Sequence, residues 1–577
     1  MYIQQGTKEY DVAIVGSGAG GGMAAKVLAE SGADVVMLEA GPWFDSEEFA
    51  MFKWPYESPR RGASIPEQEF GEFDACYGGF NLEGEPYTTA PGTNFAWFRA
   101  RMLGGRTNHW GRISLRFGPE DFKARSVDGH GDDWPISYED IKPYYDRLDR
   151  EIGIFGTNEG IYNEPGGIFQ PPPKPRCYEL KVKEACDRMG IPCIPSRLSI
   201  LTKPLNGRAA CHYCSQCNRS CSTHSNFSTP SVLLPPALET GNLEIINHAM
   251  VREVLTDGNG RATGLSYVHK PDKKEYQVKA RIVVLAASAC ESARLLLNSK
   301  SAQHPNGLAN SSDTVGKYLM DSTGTSVAGI FPQLFDMPAH NEDGVGGMHL
   351  YMPWWLQQAN TDFPRGYHTE IWGGRGMPSY GFMGGIQNYN GMFGDGDGGE
   401  REKGGGGYGQ QLKEDYRRFY GSVIGFSGRG ESIAYEDNYC EIDPDTVDQW
   451  GIPVLRFHYN WSEEEYKQVR HMQLTYRELI EEMGGTILGG DMPSREQGYG
   501  ITAPGQIIHE VGVTRMGEDP SSSVVNEYGQ AHDVDNLFVV DGGPFVSQPH
   551  KNPTWTILAL SMRASEYMVE QRNQGNL

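Results

Sequence analysis

The sequence lacks any run of eighteen or more apolar residues, and a helix that crosses a membrane is therefore not expected. Basic residues are also scarce: 51 Lys and Arg stand against 74 Asp and Glu, which gives a net charge of −23. That charge disfavours binding to nucleic acid and adhesion to anionic lipid. The first ten residues contain no basic segment followed by an apolar one, so no secretory signal is expected. A chain of 577 residues is long enough for two or more hydrophobic cores.

Cysteine is sparse too, and six of the ten cysteines are scattered without the spacing of a disulfide framework. The other four form the run CHYCSQCNRSC, at Cys211, Cys214, Cys217 and Cys221. This spacing is that of bacterial ferredoxins, in which thiolates hold an iron–sulfur cluster. The sequence leaves open a [3Fe-4S] or a [4Fe-4S] cluster, and whether Cys221 is a ligand. A structural zinc site is the alternative, although zinc loops usually join two separated cysteine pairs.

A dinucleotide-binding fingerprint begins at residue 10. Residues 10–15 predict a buried strand, which leads directly into Gly16, Gly18 and Gly21 and a helix, and a second strand then ends at Glu39. Gly16 permits the tight turn, Gly18 lets the backbone approach a pyrophosphate, and Gly21 lets helix and strand pack closely. The helix N-terminus offers N–H donors to phosphate, and Glu39 can bind the adenosine ribose. This pattern alone does not separate FAD from NAD.

Three further motifs resemble the glucose–methanol–choline (GMC) oxidoreductase family. They are LGG at residues 103–105, VVDG at 539–542 and NPTWT at 552–556. With the fingerprint, the resemblance spans essentially the full chain. Within the family, the cysteine run resembles the flavoprotein subunits of bacterial sugar dehydrogenases of the gluconate 2-dehydrogenase and glucoside 3-dehydrogenase type. Residues 104–110 and the tail also resemble pyranose 2-oxidase. The resemblance implies FAD as the dinucleotide.

The resemblance also implies a catalytic pair. His509, in IIHEVG, matches the base of the family, and an imidazole suits that role because its ordinary pKa lies near working pH. Asn552 matches the second member, which would orient the alcohol by hydrogen bonding because an amide cannot act as the base. His550, two residues before Asn552, is a competing candidate for the base.

The flavin contacts follow from the same resemblance. Asp541 and Gly542 match the turn beside the flavin pyrophosphate or ribityl chain. His109 matches a histidine that pyranose oxidases bond covalently to the flavin methyl group, and the sequence leaves covalent attachment open here. The other implied contacts are Arg101, Gly104, Gly105, Asn108, Pro553 and Thr554.

The predicted fold is α/β: a Rossmann-like FAD-binding domain with an inserted α+β substrate domain built on an antiparallel sheet. The predicted FAD-binding domain comprises residues 1–45, 95–120, 240–330 and 500–577. The predicted substrate domain comprises residues 46–94, 121–239 and 331–499, including the cysteine loop at 205–230. A long amphipathic helix is expected at 462–483, and the glycine-rich stretch at 391–409 predicts a surface loop.

The predicted function is oxidation of a secondary alcohol of a sugar or glycoside, with C3 of a glucoside favoured. Hydride would pass to FAD, and single electrons would pass through the cluster to a cytochrome-type acceptor. Flat side chains suited to stacking on a pyranose are Trp354, Trp355, Trp372, Tyr380 and Tyr389, although core packing explains each of them alone. The resemblance implies a small export or chaperone subunit, a cytochrome c subunit and a periplasmic location by co-export, with the cytoplasm left open.

Three other functions stay open at this point. The first is an oxidase of pyranose-oxidase type that uses oxygen, with the cysteine loop structural or zinc-binding. The second is a flavin-dependent lyase without net redox chemistry. The third is a redox-inert sugar-binding subunit, and the cysteine run counts against both non-redox functions.

Overall fold

The computed structural model describes residues 4–45, 48–49, 54–57, 75–338, 343–357, 359, 361–375 and 409–577. The predicted surface loop at 391–409 lies outside these residues except for its last position, and so do Tyr380 and Tyr389.

The elements are numbered along the chain. The strands are β1 (Gln4–Val15), β2 (Val35–Leu38), β3 (Gly78–Gly79), β4 (Thr88–Thr89), β5 (Arg99–Ala100), β6 (Ile194–Pro195), β7 (Leu243–Ile246), β8 (Ala249–Thr256), β9 (Ala262–His269), β10 (Lys274–Leu285), β11 (Ser326–Ile330), β12 (Leu350–Met352), β13 (Tyr367–Gly373), β14 (Val423–Gly430), β15 (Tyr439–Val447), β16 (Pro453–His458), β17 (Thr486–Ile487) and β18 (Leu537–Val539). The α-helices are α1 (Ala19–Glu30), α2 (Ala124–Asp128), α3 (Tyr138–Glu151), α4 (Cys177–Met189), α5 (Thr229–Val232), α6 (Leu234–Glu239), α7 (Ala289–Asn298), α8 (Gly409–Phe419), α9 (Glu463–Glu482) and α10 (Thr554–Gln574). Short 3-10 helices are Pro55–Glu57, Gly105–Asn108, Pro119–Phe122, Pro332–Leu334 and Gly498–Gly500.

The first sheet has the order β7-β2-β1-β10-β9-β8, with β18 also paired to β10. Strands β7, β2, β1, β10 and β18 pair in parallel, whereas β8 and β9 are antiparallel to their neighbours. The apolar run of β1 is buried on both of its faces, as expected for a parallel strand covered by other layers. Helices α1 and α10 pack together over one face. The predicted Rossmann-like α/β fold is confirmed.

The second sheet has the order β17-β11-β14-β13-β12-β6, and all of these neighbours are antiparallel. Helix α9 buries Val469, Met472, Tyr476 and Leu479 against this sheet, at the spacing of one helical face. Ser462 caps the helix by accepting a hydrogen bond from the backbone N–H of Glu464 at 3.2 Å. The predicted antiparallel sheet and long helix are therefore both present.

The predicted domain boundaries stay predictions. One hydrophobic core includes side chains from both predicted domains, such as Tyr145 of α3 and Trp555 of α10. Because α3 packs against α10, packing alone does not separate residues 121–239 from the FAD-binding segments.

No helix in the described ranges combines the length and the apolar character that spanning a bilayer requires.

Candidate active site

The turn between β1 and α1 leaves space beside one of its glycines. A Cβ on Gly16, whose φ is +92°, would lie 2.4 Å from the carbonyl oxygen of Ala286, and a Cβ on Gly21 would lie 2.0 Å from the carbonyl oxygen of Gly16. Both positions therefore require glycine for packing. In contrast, a Cβ on Gly18 would meet nothing within 4 Å, and Gly18 lines a large cavity. This is the position at which a ligand can approach the backbone.

Glu39 lies at the end of β2 and borders the same cavity. Its carboxylate accepts hydrogen bonds from the Ser17 hydroxyl and, at 2.9 Å, from the backbone N–H of Gly41. Burial raises the pKa of Glu39, and these hydrogen bonds oppose that effect. Ser17 also accepts a hydrogen bond from the N–H of Gly104 at 2.7 Å, so this one hydroxyl joins the fingerprint to the second glycine turn.

The second glycine turn is held by its own side chains. Gly104 has a φ of +87°, and the amide of Asn108 donates to the carbonyl oxygens of Leu103 at 2.9 Å and Gly105 at 3.0 Å. His109 follows directly and lines the cavity. Burial lowers the pKa of His109 to about 3, with the nearby arginines contributing, so the imidazole is neutral at physiological pH.

Arg101 is engaged by two buried carboxylates beside the cavity. It donates to Glu85 at 2.7 Å and also to Glu291. These two charges outweigh burial and keep the pKa of Arg101 above its ordinary value. Arg101 therefore braces the cavity wall through fixed ion pairs.

The C-terminal segment closes the cavity with a turn and a helix N-terminus. Asp541, directly after β18 and Val540, accepts hydrogen bonds from the Ser292 hydroxyl and, at 2.8 Å, from the N–H of Gly543. Burial raises the pKa of Asp541 to about 6. Pro553 and Thr554 open helix α10 and line the cavity, so the N–H groups and the positive dipole end of this helix border it.

His509 and Asn552 come together across 43 residues of sequence. The Asn552 amide nitrogen lies 3.2 Å from His509 Nε2, and the Ser322 hydroxyl lies 2.9 Å from His509 Nδ1. With the amide donating to Nε2, the lone pair is on Nε2 and the ring proton is on Nδ1. The buried amide oxygen of Asn552 has no hydrogen-bond partner within the described residues. The pair therefore offers a free acceptor beside a basic nitrogen.

An ion pair near His509 was not anticipated from the sequence. Arg429 of β14 donates to Glu370 of β13 at 2.7 Å. Burial, together with the charge of Arg429, lowers the pKa of His509 to about 3, and Glu370 opposes them. No local motif marks these two residues, because the register of β13 and β14 brings them together. The sequence signals this ion pair only by placing one charged residue in each of two strands that are otherwise uncharged apart from a histidine.

His550 occupies a different environment from His509. Its Nδ1 lies 2.8 Å from Glu431 and its Nε2 lies 2.9 Å from Glu164. Burial and the neighbouring Lys551 act to lower the pKa of His550, but the two carboxylates outweigh them and raise it. Both ring nitrogens are thus occupied by fixed carboxylate partners, which favour the protonated form of the ring.

The cysteine run forms one loop from Cys211 to Cys221. The predicted ligands were Cys211, Cys214, Cys217 and Cys221. Across the residues described, no group of three or more His, Cys, Asp or Glu side chains is arranged to hold a metal ion. Instead, Cys217 Sγ accepts a hydrogen bond from the N–H of Gly346 at 3.3 Å, and Cys221 Sγ lies 3.3 Å from the Ser225 hydroxyl. Because no metal-binding group is present among the described residues, this arrangement does not support the predicted iron–sulfur cluster.

The loop nevertheless adjoins the second glycine turn. Arg112 donates hydrogen bonds to the carbonyl oxygens of Asn108 and Trp110. Burial raises the pKa of the Cys217 thiol, and the charge of Arg112 opposes that effect. Tyr213 and Ser215 have φ values of +57°, a conformation that non-glycine residues seldom adopt. Backbone strain of this kind clusters at functional sites, which makes the loop a functional candidate independently of any metal.

Most of the predicted residues surround one cavity. Those that line it are Gly16, Gly18, Glu39, Arg101, Gly105, His109, His509, Asp541, Gly542, Asn552, Pro553 and Thr554. Gly21, Gly104 and Asn108 do not line it, since they act behind the wall through close packing and hydrogen bonds within the turn. The open space at Gly18, the carboxylate of Glu39 and the N-terminus of α1 fit the pyrophosphate and ribose of a dinucleotide.

The sequence matches GMC oxidoreductase family models over residues 19–323 and 435–561. A 2-methyl-1,2-propanediol dehydrogenase of Mycolicibacterium austroafricanum is 30% identical, over 97% of this chain and 95% of that protein. The fructose dehydrogenase large subunit of Gluconobacter japonicus is 27% identical, over 99% of both. Among solved structures, pyridoxine 4-oxidase from Mesorbium loti shares the fold with a TM-score of 0.60 and 17% identity, covering 97% of this chain and 99% of that one.

Proposed function

The chain belongs to the GMC oxidoreductase family, and from that premise we propose that it is a dehydrogenase of a secondary alcohol in a sugar or glycoside. GMC oxidoreductases bind FAD and act on the CH–OH groups of alcohols or sugars. The observation that supports the proposal most is the His509–Asn552 pair at the cavity, with Nε2 of the imidazole unprotonated and 3.2 Å from the amide.

His509 serves as the base. Its pKa is lowered to about 3, so the ring is neutral at physiological pH and Nε2 can accept the proton of a substrate hydroxyl that replaces the Asn552 amide as its hydrogen-bond donor. Because His509 is a weak base, it takes the hydroxyl proton at the same time as the hydrogen on the carbinol carbon leaves. At that moment the substrate oxygen is becoming a carbonyl oxygen. Burial has the largest effect on how readily the ring accepts that proton, and Arg429 and Glu370 adjust it with opposite signs.

Asn552 orients the alcohol. Its buried amide oxygen lacks a partner in the described structure and can accept a hydrogen bond from the reacting hydroxyl or a neighbouring one. The amide nitrogen meanwhile keeps Nε2 of His509 directed at the same point. When bound, FAD supplies the acceptor for the two electrons and the carbinol hydrogen. Glu39, Gly18, His109 and Asp541 are the residues that would hold it.

A sugar or glycoside is favoured by a groove that continues from the cavity. Gly111 and Ile113 line both, and the groove is further lined by Trp372 and Glu370. Trp372 is 43% exposed, and an exposed indole face suits the C–H face of a pyranose. A relative named for fructose oxidation supports the same substrate class. Oxidation at C3 of a glucoside rests on the resemblance of residues 104–110 and the tail to pyranose 2-oxidase.

The fate of the electrons rests on the cysteine spacing and on family resemblance. The proposal includes an iron–sulfur cluster at residues 211–221, a cytochrome-type acceptor, a small export or chaperone subunit and a periplasmic location by co-export. The cysteine spacing favours the cluster, whereas the described residues contain no group of side chains arranged to hold a metal ion. No step of the chemistry above depends on it.

The test is anaerobic flavin reduction by glucose, a glucoside and gluconate, followed at a stopped-flow spectrometer. We expect at least one substrate to bleach the flavin, and His509→Ala to slow that step by about 10²–10⁴-fold, the usual contribution of a general base. His458→Ala is the matched control, because this imidazole pairs with Glu441 outside the cavity. Undiminished reduction by the His509 variant would remove the base assignment.

The same samples distinguish the rival functions. Iron and acid-labile sulfide, with an EPR signal that changes as the flavin bleaches, would establish the cluster. Stoichiometric peroxide in air without iron would favour the oxidase. A flavin that stays oxidised while the substrate is cleaved would indicate a lyase, and tight binding without bleaching would indicate a redox-inert subunit.

A further inference from the structure

We propose that Asp321 and Ser322 are positioning residues that hold both members of the catalytic pair in place. The proposal rests on the role of His509 as the base and adds the residues that hold it. Neither residue belongs to a motif, and both are buried, with 0% and 1% of their surfaces exposed. Asp321 fixes the backbone on which His509 lies, and Ser322 fixes the imidazole and the segment before Asn552.

Asp321 clamps a strained turn. One carboxylate oxygen accepts the N–H of Gly505 at 2.8 Å, and the other accepts the N–H of His509 at 2.9 Å. Between them lies Ile508, whose φ of +66° is a rare conformation for a β-branched residue. Such strain costs about 1–3 kcal/mol and persists only where the surroundings enforce it. The two hydrogen bonds bracket the strained residue and thereby enforce it.

Ser322 clamps the imidazole. Its hydroxyl oxygen lies 2.9 Å from His509 Nδ1, on the opposite side of the ring from the Asn552 amide. Since the ring proton is on Nδ1, the hydroxyl oxygen accepts a hydrogen bond from Nδ1–H. This hydrogen bond favours the tautomer in which Nε2 carries no proton. Fixing the tautomer of a catalytic histidine in this way matters as much as its position.

The same hydroxyl also fixes the second member of the pair. The amide of Gln548, which is fully buried, donates to Ser322 Oγ at 3.3 Å and to the carbonyl oxygen of Lys551 at 3.3 Å. The segment that ends at Asn552 is therefore tied to the oxygen that holds His509. One serine sets the separation of the base and the orienting amide.

The dipeptide is itself anchored on both sides. Met320 exchanges two backbone hydrogen bonds with Val511, each of 2.9 Å. Thr323 exchanges two with Gly430, at 3.1 and 2.8 Å, and Gly430 ends strand β14 of the antiparallel sheet. The base is thus positioned relative to the sheet that contains Arg429. A misplacement of about 1 Å at a reacting group can cost on the order of 10²-fold in rate.

The test measures flavin reduction and substrate affinity separately in Ser322→Ala, Ser322→Thr and Asp321→Asn. We expect Ser322→Ala to slow the limiting rate of reduction by about 10–100-fold, with substrate affinity changed by less than about 2-fold. Ser322→Thr, which keeps the hydroxyl, should recover most of the rate. Asp321→Asn retains one acceptor oxygen in place of two and should slow reduction at least as much as Ser322→Ala.

Ser196→Ala is the control for loss of a buried serine. Ser196 is fully buried and donates to the carbonyl oxygen of Met348, away from the catalytic pair, so flavin content and reduction rate should match wild type. A Ser322→Ala rate within 2-fold of wild type, or a threonine variant as slow as alanine, overturns the proposal even if Asp321→Asn does not fold. A wild-type flavin that no alcohol bleaches overturns the proposed function first and this inference with it.

Discussion

His509 lies close to Asn552 in space, and His550 lies two residues before it in the sequence. The ring nitrogens of the two histidines nevertheless face different partners. His509 faces a hydroxyl and an amide, and its pKa is lowered, so it is neutral and able to take a proton. His550 faces two carboxylates, which favour its protonated form and raise its pKa. At the scale of the residue, neighbours thus shift the pKa of the same kind of side chain in opposite directions.

We predict that His550→Gln lowers the free energy of unfolding by about 3 kcal/mol near pH 6, because it leaves Glu164 and Glu431 buried without the cation between them. The folded-state pKa of His550 is raised above the value of about 6.5 for the unfolded chain. Its stabilisation is therefore complete below about pH 6.5 and is lost as pH rises through the folded pKa. Denaturant midpoints of wild type and variant should accordingly converge as pH rises above about 6.5 and through the raised folded-state pKa.

His458→Gln is the comparison for that measurement. Its ring lies 2.9 Å from Glu441 at a more exposed position, where an ion pair contributes about 0–1 kcal/mol. A difference between His550→Gln and wild type that did not vary with pH would show that the charge of His550 is not what stabilises the protein.

At the scale of the element, two glycines of the segment that joins β1 to α1 have different roles. Gly18 borders the space for the ligand, whereas Gly21 is needed for packing. We predict that Gly18→Ala leaves the thermal midpoint of the flavin-free protein unchanged but lowers flavin content, since its methyl group enters open space in the cavity wall. Gly21→Ala should lower the midpoint of the flavin-free protein itself, because its methyl group would meet the carbonyl of Gly16 at 2.0 Å. Equal flavin content in wild type and Gly18→Ala would place the ligand elsewhere.

Local patterns predict the elements whose determinants are close in sequence. The run of β1, its glycine turn and Glu39 form one continuous segment, and α9 shows its apolar face and its Ser462 cap directly. Ser322 could not be found in this way, because its contacts with His509 and Gln548 arise from segments 187 and 226 residues away.

At the scale of the whole molecule, the net charge of −23 acts on every encounter with a charged partner. We predict that reoxidation of the reduced flavin by a cationic acceptor such as hexaammineruthenium(III) slows several-fold between about 10 and 200 mM salt. Reoxidation by anionic ferricyanide should quicken over the same range. The two rates are measured by stopped flow, and a shared salt dependence would indicate that a local positive patch governs the approach.

The position of β18 has a consequence for how the protein is made. This strand completes the sheet beside β10, and α10 then covers α1, yet β18 begins at Leu537, 522 residues after β1 ends at Val15. At about 5–20 residues per second, a ribosome needs on the order of 30–100 s to synthesise that interval. For that time the emerging chain exposes an unpaired parallel edge and half of a nucleotide pocket. Uptake of the cofactor is therefore one of the last events in the maturation of the protein, and a nascent chain that stalls late remains both colourless and prone to aggregate.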